Sequence, residues 1–521
     1  MRTLLKQRLD QITVAFLVLA TFATRIPFRS HYLWTWDSGS FALALDRFNV
    51  AGDQPQSPGY ILYIGLGRFF RLFFHDANDA LVALSIVSAA ASIAGIYLLG
   101  KHIFGRTTGL VAAAILFFSP LGWFYGEIAL SYGVELPLAM LVAWLLYEMY
   151  FNRRYAVFAA IALALAAGVR QDALMFLGPF WLVGTLRFPR RKMLLSWAAL
   201  AASVSVWLVP LIYSVGGISE YRSVAKFQFN MDIYPFSVLA IGLKAIRNNG
   251  GDLVRGFIGM FGLSLFALLT AVVLMLASRN FRRDRRILFM LILPVLALSY
   301  DLLFQFGPPG YLLVYSSTLV LAAAWTLVWI VRNYRPVLLA AAVTAIAIFN
   351  VLFFVTKSVC VGPSCRAHNT LADIRASDRE SDEINHLIRQ YGSNSTLIVS
   401  GFPIRGYADN WRRLMYYLPE YTTVRLRIAD NAGGFHSGFN HQTHYVPDQK
   451  TVIASDGVDS VLLIGIDPEQ VDGTPIVITP PSASLPIYRV AFKGADRLHI
   501  GDYEIVHQRT ADAQSLNISK S

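Results

Sequence analysis

Long apolar runs, separated by short clusters of Lys and Arg, constrain this sequence more than any other feature. A run of about 20 apolar residues is long enough to cross the hydrocarbon core of a bilayer as a helix. Such runs follow one another as far as residue 356, and only 15% of the 521 residues are charged, whereas soluble domains carry about 25%. A disordered chain and an ordinary soluble enzyme are excluded, and a polytopic α-helical membrane protein is expected.

The net charge of +12 also fits a membrane protein. Eighteen basic residues lie in clusters between the apolar runs, as expected of cytoplasmic loops. No basic face with interleaved aromatic residues is present, so no nucleic-acid partner is predicted. The clusters are Arg2/Lys6/Arg8, Lys101/Arg106, Arg153/Arg154, Arg187/Arg190/Arg191/Lys192, Arg279/Arg282/Arg283/Arg285/Arg286 and Arg332/Arg335.

The apolar stretch Pro58–Phe74 decides how the chain is threaded. It carries Arg68 and Arg71, which fall on one face of a helix. If it crossed the membrane, Lys101, Arg106 and the five-Arg cluster would face outward. If it lies in the membrane interface as an amphipathic helix, every basic cluster faces the cytoplasm. The second threading is adopted.

This threading predicts about eleven transmembrane helices, with the N-terminus in the cytoplasm. The first run is interpreted as an uncleaved helix, because further spans follow it. Residues 28–78 form an external loop with interfacial helices near 38–50 and 59–74, and 215–251 form a second external segment. The spans are predicted at 10–27, 79–100, 107–126, 133–151, 155–169, 172–186, 193–214, 252–277, 287–305, 311–331 and 336–356.

The composition changes after Lys357, and two domains are expected, 1–357 in the membrane and 366–521 as an extracytoplasmic α/β domain. Helices are predicted over 378–391 and 410–418. Strands are predicted at 396–400, 422–426, 460–465, 488–492 and 503–507.

Cys360 and Cys365 lie just before this domain and flank the residues VGPS. Two cysteines are too few for a zinc site, which needs about four ligands. The threading places both outside the cytoplasm, in an oxidising compartment, so they are predicted to form a disulfide.

Motifs for nucleotide binding, zinc hydrolysis and serine hydrolysis are absent, so the chemistry must come from polar groups near the membrane surface. The most informative stretch is Trp34-Thr-Trp-Asp-Ser-Gly-Ser, which contains Asp37. Asp37 in an aromatic, partly desolvated niche suits a general base. The alternatives are that Asp37 caps a helix and that Trp34 and Trp36 are interface anchors.

The order of several short motifs resembles the GT-C superfamily of membrane glycosyltransferases, in the branch of the protein O-mannosyltransferases and lipid A aminoarabinose transferases. The resemblance covers most of residues 1–356, and 366–521 show none. The stretches that carry it are Asp37, Pro55-Gln-Ser-Pro-Gly-Tyr60, His102-Ile-Phe-Gly-Arg106, Ser119-Pro120, Gly168-Val-Arg-Gln-Asp172 and Pro308-Pro-Gly-Tyr311.

The resemblance implies an inverting glycosyltransferase that moves a sugar from a polyprenyl-phosphate donor to a glycan, lipid or protein acceptor on the outer face of the membrane. Asp37 matches the catalytic acid of the family, which takes the proton of the attacking hydroxyl. The phosphate leaving group needs charge neutralisation, for which Arg170 is the first candidate. The alternative for Arg170 is an ion pair with Asp172 or an interface anchor.

The family has a second acid in the next external loop, for which Glu127 and Glu135 are candidates. Glu135 is preferred, because Tyr132-Gly-Val-Glu-Leu-Pro137 resembles the family spacing of an acid before a proline. The chain lacks the paired acid beside Asp37, where residues 38 and 39 are Ser and Gly. No metal ligand is therefore assigned. A requirement for a divalent metal stays open, and no other cofactor is predicted.

Further substrate-binding candidates lie on the predicted outer side. Arg25 and Arg29 stand there against the positive-inside pattern. The echo of Ser-Pro-Gly-Tyr in Pro-Pro-Gly-Tyr is interpreted as helix-start chemistry in preference to shared ligand binding. The remaining candidates are Trp36, Tyr60, Tyr132 and Tyr311.

His436, His441 and His444 fall within nine residues of one another. Three imidazoles can bind zinc, but a Gly/Asn-rich exposed loop is the preferred interpretation.

Two functional classes remain open at this stage. The first is the glycosyltransferase, an integral protein of the bacterial inner membrane in contact with membrane lipids. The alternative is a non-catalytic transporter or scaffold for lipid-linked sugars, in which the buried polar groups form a pathway.

Overall fold

The protein is represented by a computed structural model that describes residues 2–331, 336–356, 369–401, 411–426 and 434–509. Contacts divide it into two compact units. The first contains Met1–Ser30 and Ser57–Ile374, and the second contains His31–Gln56 and Arg375–Ser521. Residues 31–56 of the predicted external loop thus belong with the C-terminal residues, which the expected domain boundary at 357–366 did not anticipate.

The first unit is helical. Its helices are α1 (Arg2–Arg25), α3 (Ile61–Arg71), α4 (Ala77–Phe104), α5 (Arg106–Phe117), α6 (Pro120–Tyr125), α7 (Tyr132–Phe151), α8 (Tyr155–Val169), α9 (Asp172–Thr185), α10 (Arg190–Val215), α11 (Ile218–Gln228), α12 (Val238–Ile241), α13 (Leu243–Phe261), α14 (Leu265–Ala277), α15 (Arg279–Arg282), α16 (Arg285–Ile292), α17 (Val295–Leu303), α18 (Leu313–Val331) and α19 (Pro336–Val355). The segment α2 (Trp36–Asp46) and the C-terminal helix α21 (Trp411–Tyr417) belong to the second unit, and α20 (Leu371–Ile388) begins in the first and ends in the second.

Every predicted span contains apolar helix, and the chain is an integral membrane protein. Among the described residues, eight helical stretches are long and apolar enough to cross a membrane. Three further apolar helices, α5, α8 and α9, are shorter. The predicted number of about eleven spans counts these three as crossings and stays a prediction. The eight stretches are Gln7–Phe28, Ala77–Phe104, Tyr132–Phe151, Arg190–Val215, Leu243–Ala277, Arg285–Leu303, Pro309–Val331 and Pro336–Val355.

Helices α1 and α4 run antiparallel. Asp10, near the start of α1, accepts a hydrogen bond from the Tyr97 hydroxyl at 2.5 Å and forms an ion pair with Lys101, both near the end of α4. Arg106 lies 3.8 Å from the same carboxylate. The N-terminal and Lys101/Arg106 basic clusters therefore lie at the same end of these helices. This is the arrangement expected if α3, between them in the chain, does not cross.

Three predicted spans are broken by a turn, each with a local cause. The 107–126 span breaks at Ser119, whose hydroxyl caps α6 by accepting a hydrogen bond from the Gly122 N–H at 3.1 Å. The 252–277 span breaks at Gly262, which has a φ of +48°. The 287–305 span breaks around Pro294, which has no backbone N–H to continue α16.

The second unit is built on a sheet of seven strands in the order β4-β3-β2-β1-β6-β8-β7. Strand β1 pairs parallel with β2 and β6, and the outer pairs are antiparallel. Strands β5, β10 and β9 form a second, three-stranded sheet. The strands are β1 (Thr396–Gly401), β2 (Thr422–Leu426), β3 (Phe435–Phe439), β4 (Gln442–Val446), β5 (Thr451–Ala454), β6 (Ser460–Ile464), β7 (Ile476–Val477), β8 (Ile487–Ala491), β9 (Arg497–Ile500) and β10 (Tyr503–His507).

The parallel strands at the centre of the sheet are apolar on both faces, as expected when a sheet is covered on both sides. All six residues of β1 and all five of β6 are buried. The α/β class predicted for 366–521 is confirmed, with each of the five predicted strands present. The remaining strands were missed, because they are short or carry polar residues such as His436 and Gln442.

The two predicted interfacial segments are both helical. The segment near 38–50 is α2, and the segment near 59–74 is α3. Helix α3 leaves a continuous set of large apolar side chains exposed around its C-terminal end, which suits a helix lying in a lipid interface. They are Leu66, Phe69, Leu72 and Phe73.

Candidate functional site

Arg170 lies at a tight connection between two helices of the first unit. It follows the last residue of α8, and Asp172 begins α9. The side chain is buried, with 6% of its surface exposed. A buried guanidinium is costly unless its donors are satisfied and its charge is compensated.

Two carboxylates compensate this charge. The Arg170 Nε lies 2.9 Å from an oxygen of Glu135, and its Nη2 lies 2.7 Å from an oxygen of Asp172. Its Nη1 donates to the hydroxyl of Ser131 at 3.3 Å. The ion pair with Asp172, the sequence-based alternative for Arg170, is therefore present, and Glu135 is part of the same network.

Three tyrosines surround the same guanidinium. The centroids of the Tyr132, Tyr311 and Tyr60 rings lie 4.2, 5.3 and 5.7 Å from the Arg170 Cζ. All three distances are within the range of a cation–π interaction. The two Pro-Gly-Tyr stretches thus place their tyrosines on one cation, an association that the helix-start interpretation did not predict.

Sequence reasoning missed several polar groups close to this cluster. The hydroxyl of Tyr221 donates to the Gln171 Oε1 at 3.2 Å, and the Gln171 Nε2 donates to the Pro58 carbonyl at 3.1 Å. Asp301 is buried and accepts a hydrogen bond from the Tyr315 hydroxyl at 2.7 Å. Gln171 follows Arg170 directly and could have been named from its position. Asp301 is an isolated acid in an apolar run, and its position in the sequence did not indicate that it lies near this cluster.

We call Arg170, Glu135, Asp172 and the three tyrosines the Arg170 cluster. When its acids are ionised, negative charge exceeds positive charge. The arrangement provides a fixed guanidinium, aromatic faces that suit a sugar ring, and carboxylates that can accept hydrogen bonds.

Arg25 and Glu127 belong to a different buried cluster of the first unit. The Arg25 Nη2 donates to the Phe117 carbonyl at 2.6 Å, and its Cζ lies 4.0 Å from the centroid of the Trp123 ring. Trp123 Nε1 in turn donates to Glu127 at 2.5 Å. Arg25 and Glu127 are both buried. Their contacts therefore stabilise the packing of neighbouring helices in the first unit. Arg29, which is partly exposed, donates to the Ile26 carbonyl at 3.0 Å.

Asp37 lies in the first turn of α2, in the second unit, and is half-buried. The helix is capped by Thr35, and the Ser38 hydroxyl accepts from the Thr35 N–H at 3.3 Å in a capping box. Asp37 is thus not the N-cap residue, which removes the main structural alternative for it. A carboxylate in the first turn is stabilised by the helix dipole.

The indole of Trp36 packs inside the second unit. It stacks on Trp411 with ring centroids 5.7 Å apart, and the Cζ atoms of Arg412 and Arg425 lie 5.1 and 4.3 Å from it. Trp36 is thus partly buried against α21, and its interpretation as an interface anchor stays a prediction.

His436, His441 and His444 of the second unit are not arranged around a common point. His436 on β3 and His444 on β4 belong to adjacent register pairs and therefore point to opposite faces of the sheet. His441, in the turn between these strands, bonds to Asp46 at 2.9 Å. Within the described residues, no three His, Cys, Asp or Glu side chains are grouped to hold a metal ion. Cys360 and Cys365 lie outside the described residues.

Comparisons with known proteins point to one superfamily. A family model described as dolichyl-phosphate-mannose-protein mannosyltransferase matches residues 56–213. No curated protein matches the chain. Among solved structures, ArnT from Cupriavidus metallidurans bound to undecaprenyl phosphate aligns with a TM-score of 0.58 and 11% identity, over 93% of this chain and 98% of that one. The apo state of the same protein gives 0.55 and 12%, over 92% and 97%.

These matches establish the fold. The chain has the fold of the GT-C superfamily of membrane glycosyltransferases, and the resemblance inferred from its short motifs is confirmed. The match to ArnT extends over 93% of the chain and so includes the C-terminal residues, for which the sequence gave no resemblance.

Proposed function

We propose that this protein is an inverting glycosyltransferase that moves a sugar from a polyprenyl-phosphate donor to an acceptor hydroxyl. The observation that carries the proposal is Asp37 in the first turn of α2, with the capping role already filled, in a chain with the GT-C fold. The solved ArnT structure bound to undecaprenyl phosphate supports a donor of this lipid class.

The reaction is a single displacement. Asp37 takes the proton of the acceptor hydroxyl as its oxygen attacks the anomeric carbon of the sugar. The bond from that carbon to the phosphate oxygen breaks, and the polyprenyl phosphate leaves with the electron pair. A phosphate is a stable leaving group, so no acid has to protonate it. Attack from the opposite side inverts the anomeric centre.

The Arg170 cluster is proposed to hold the donor. Arg170 would pair with the phosphate by exchanging Asp172, while Glu135 keeps the guanidinium in place. Tyr60, Tyr132 and Tyr311 present aromatic faces to the sugar or the first isoprene unit. Glu127 and Arg25 are proposed to stabilise the packing of the helices around them. The predicted topology places the transfer on the outer side of the membrane.

The donor class can be tested with the purified full chain in lipid nanodiscs. A panel of undecaprenyl-phosphate-linked hexoses and pentoses is supplied with a cell-envelope extract as acceptor, and labelled sugar in the extract is counted. The proposal expects incorporation from at least one lipid-linked sugar and none from the matching nucleotide sugars. Incorporation from nucleotide sugars alone would reject it.

A further inference from the structure

The helix that carries Asp37 is built into the C-terminal unit as an integral part of its core. Residues 38–45 of α2 are all buried. Its Leu43 forms an apolar cluster with Trp411 and Met415 of α21. Helix α2 therefore forms part of the packed interior of the second unit.

The closest approach is at Gly39. A Cβ added there would lie 2.8 Å from the Arg412 Cβ and 2.9 Å from the Arg412 carbonyl carbon. Real Cβ contacts are longer than this, and the backbone of α21 cannot yield as the end of a side chain can. Gly39, two residues from Asp37, thus allows the two helices to touch along their backbones.

Arg412 fixes the same contact from the other side. Its side chain is fully buried, and its two terminal nitrogens donate to the Thr443 hydroxyl at 2.6 Å and to the Gly52 carbonyl at 2.7 Å. One planar guanidinium therefore links α21 to strand β4 and to the turn that follows α2. A forked donor of this kind holds both partners in one geometry.

The segment that leads into α2 is held by the same unit. Asp378 accepts hydrogen bonds from the backbone N–H groups of His31 and Tyr32, each at 3.1 Å. The Tyr417 hydroxyl of α21 accepts from the Leu33 N–H at 2.8 Å. The Tyr32 hydroxyl donates to Asp382 at 2.7 Å, and burial together with this hydrogen bond raises the pKa of Tyr32 to about 12.

We propose that Gly39 and Arg412 are positioning residues for the base, so that the C-terminal unit determines where Asp37 stands. This inference rests on the proposed role of Asp37. General base catalysis needs the carboxylate within hydrogen-bond reach of the acceptor hydroxyl. A displacement of about 1 Å costs roughly 10²-fold in rate, so a close backbone contact beside the base has a direct catalytic consequence.

The first test is Gly39→Ala in the full chain in nanodiscs. Alanine is favoured over glycine inside a helix, so helix propensity alone would stabilise α2. The added methyl group instead displaces α2 from Arg412. We expect kcat to fall about 10²-fold, with the donor KM and the Kd for undecaprenyl phosphate unchanged. The matched control is Gly65→Ala on α3, where the added methyl group meets no atom within 4 Å and kcat should not change.

A double-mutant cycle separates positioning from a general structural defect. If Gly39 acts through Asp37, the change Gly39→Ala costs nothing further in an Asp37→Asn background. If the two losses multiply, Gly39 acts independently and the positioning role is wrong. Unchanged turnover in Gly39→Ala, with Asp37→Asn inactive, overturns positioning alone. Normal turnover in Asp37→Asn overturns the base assignment, and positioning falls with it.

A milder pair covers the case in which Gly39→Ala does not fold. Thr443→Val removes the acceptor of Arg412 and keeps the side-chain shape, whereas Thr443→Ser keeps the hydroxyl. We expect kcat to fall about tenfold in the first variant, the worth of one charge-assisted hydrogen bond, and to recover in the second. Equal turnover in both variants and the wild type would contradict the role of Arg412.

Discussion

Asp37 is the proposed general base, and its place in α2 separates that role from helix capping. Because Thr35 and Ser38 cap the helix, Asp37→Asn leaves the cap intact and removes the negative charge of the carboxylate. Turnover should fall by about 10²–10⁴, with the expression level and the binding of undecaprenyl phosphate preserved, as measured by labelled-sugar transfer in nanodiscs.

The matched control for Asp37→Asn is Asp79→Asn. Asp79 is also a half-buried acid in the first turn of a helix, α4, with another residue as the N-cap. Its loss should leave turnover near the wild-type value. Equal losses in both variants would mean that the first-turn charge matters only for helix stability.

The network around Arg170 predicts that one substitution should strengthen the binding of undecaprenyl phosphate. Asp172→Asn removes the charge of the carboxylate that the phosphate is proposed to replace on the guanidinium, and Glu135 keeps its own contact. If Arg170 holds the donor phosphate, undecaprenyl phosphate should bind about tenfold more tightly, the worth of roughly one charge-assisted hydrogen bond. Fluorescence titration of the purified variant with undecaprenyl phosphate measures this.

Two comparisons interpret that titration. Arg170→Ala should weaken binding and also destabilise the fold, because removing one partner of a buried ion pair costs about 3–5 kcal/mol. Weaker binding in Asp172→Asn would instead assign Arg170 a purely structural ion pair.

At the residue scale, the sequence indicated which residues come together better than it indicated the partners that surround them. The motif order singled out Arg170, Tyr60 and Tyr311, and the fold brings the three together. The sequence did not show that Arg170 carries two carboxylate partners, because Glu135 lies 35 positions earlier in the chain. Trp36 was equally ambiguous, since an indole suits a membrane interface and a protein core alike.

At the scale of elements, the apolar runs predicted where helices lie, and their interruptions were missed. Ser119-Pro120 was noted as a motif but not as the start of α6, although Ser followed by Pro is a strong helix-start signal. Gly262 was hidden inside a continuous apolar run. A hydropathy pattern records which residues prefer lipid, and it does not record where the backbone turns.

Close packing of α4 on α5 depends on two glycines, Gly100 on α4 and Gly109 on α5. A Cβ on Gly109 would lie 2.5 Å from the Tyr97 carbonyl oxygen and 2.7 Å from the Lys101 nitrogen. Small residues allow such backbone contact between membrane helices. Gly109→Ala should therefore lower the free energy of unfolding by about 1–3 kcal/mol through overpacking, seen as a lower melting temperature in detergent. The control Gly251→Ala, with no neighbour within 4 Å, should melt at or slightly above the wild-type temperature, because alanine is favoured over glycine inside a helix. A Gly109→Ala protein that melts no lower than the wild type would contradict the contact.

At the scale of the whole molecule, the unexpected feature is the division of the chain. Residues 31–56 belong to the unit formed mainly by the C-terminal residues. Composition could not reveal this, because the mixture of polar and apolar residues in α2 is typical of an interfacial helix as well as of a helix packed against a soluble domain. The contacts that decide it join residues far apart in the chain, and Gly39 and Arg412 are separated by 373 positions.

The predicted topology places the C-terminal unit outside the cytoplasm. Only this threading puts all six basic clusters on one side, and the antiparallel pairing of α1 with α4 agrees with it. Alkaline phosphatase fused after residue 366 should be active in a bacterial host, and β-galactosidase fused at the same point should be inactive. The reverse pattern would reject the topology.

The central claim is sugar transfer from a lipid phosphate by one direct displacement, and one reaction tests it. The wild-type chain in nanodiscs is given a donor of known anomeric configuration together with its acceptor. Released undecaprenyl phosphate and the glycosylated product are quantified, and the product configuration is read by NMR. The account predicts one undecaprenyl phosphate per sugar transferred, with the anomeric centre inverted. Retained configuration, or intact donor crossing the bilayer with no phosphate released, would contradict it.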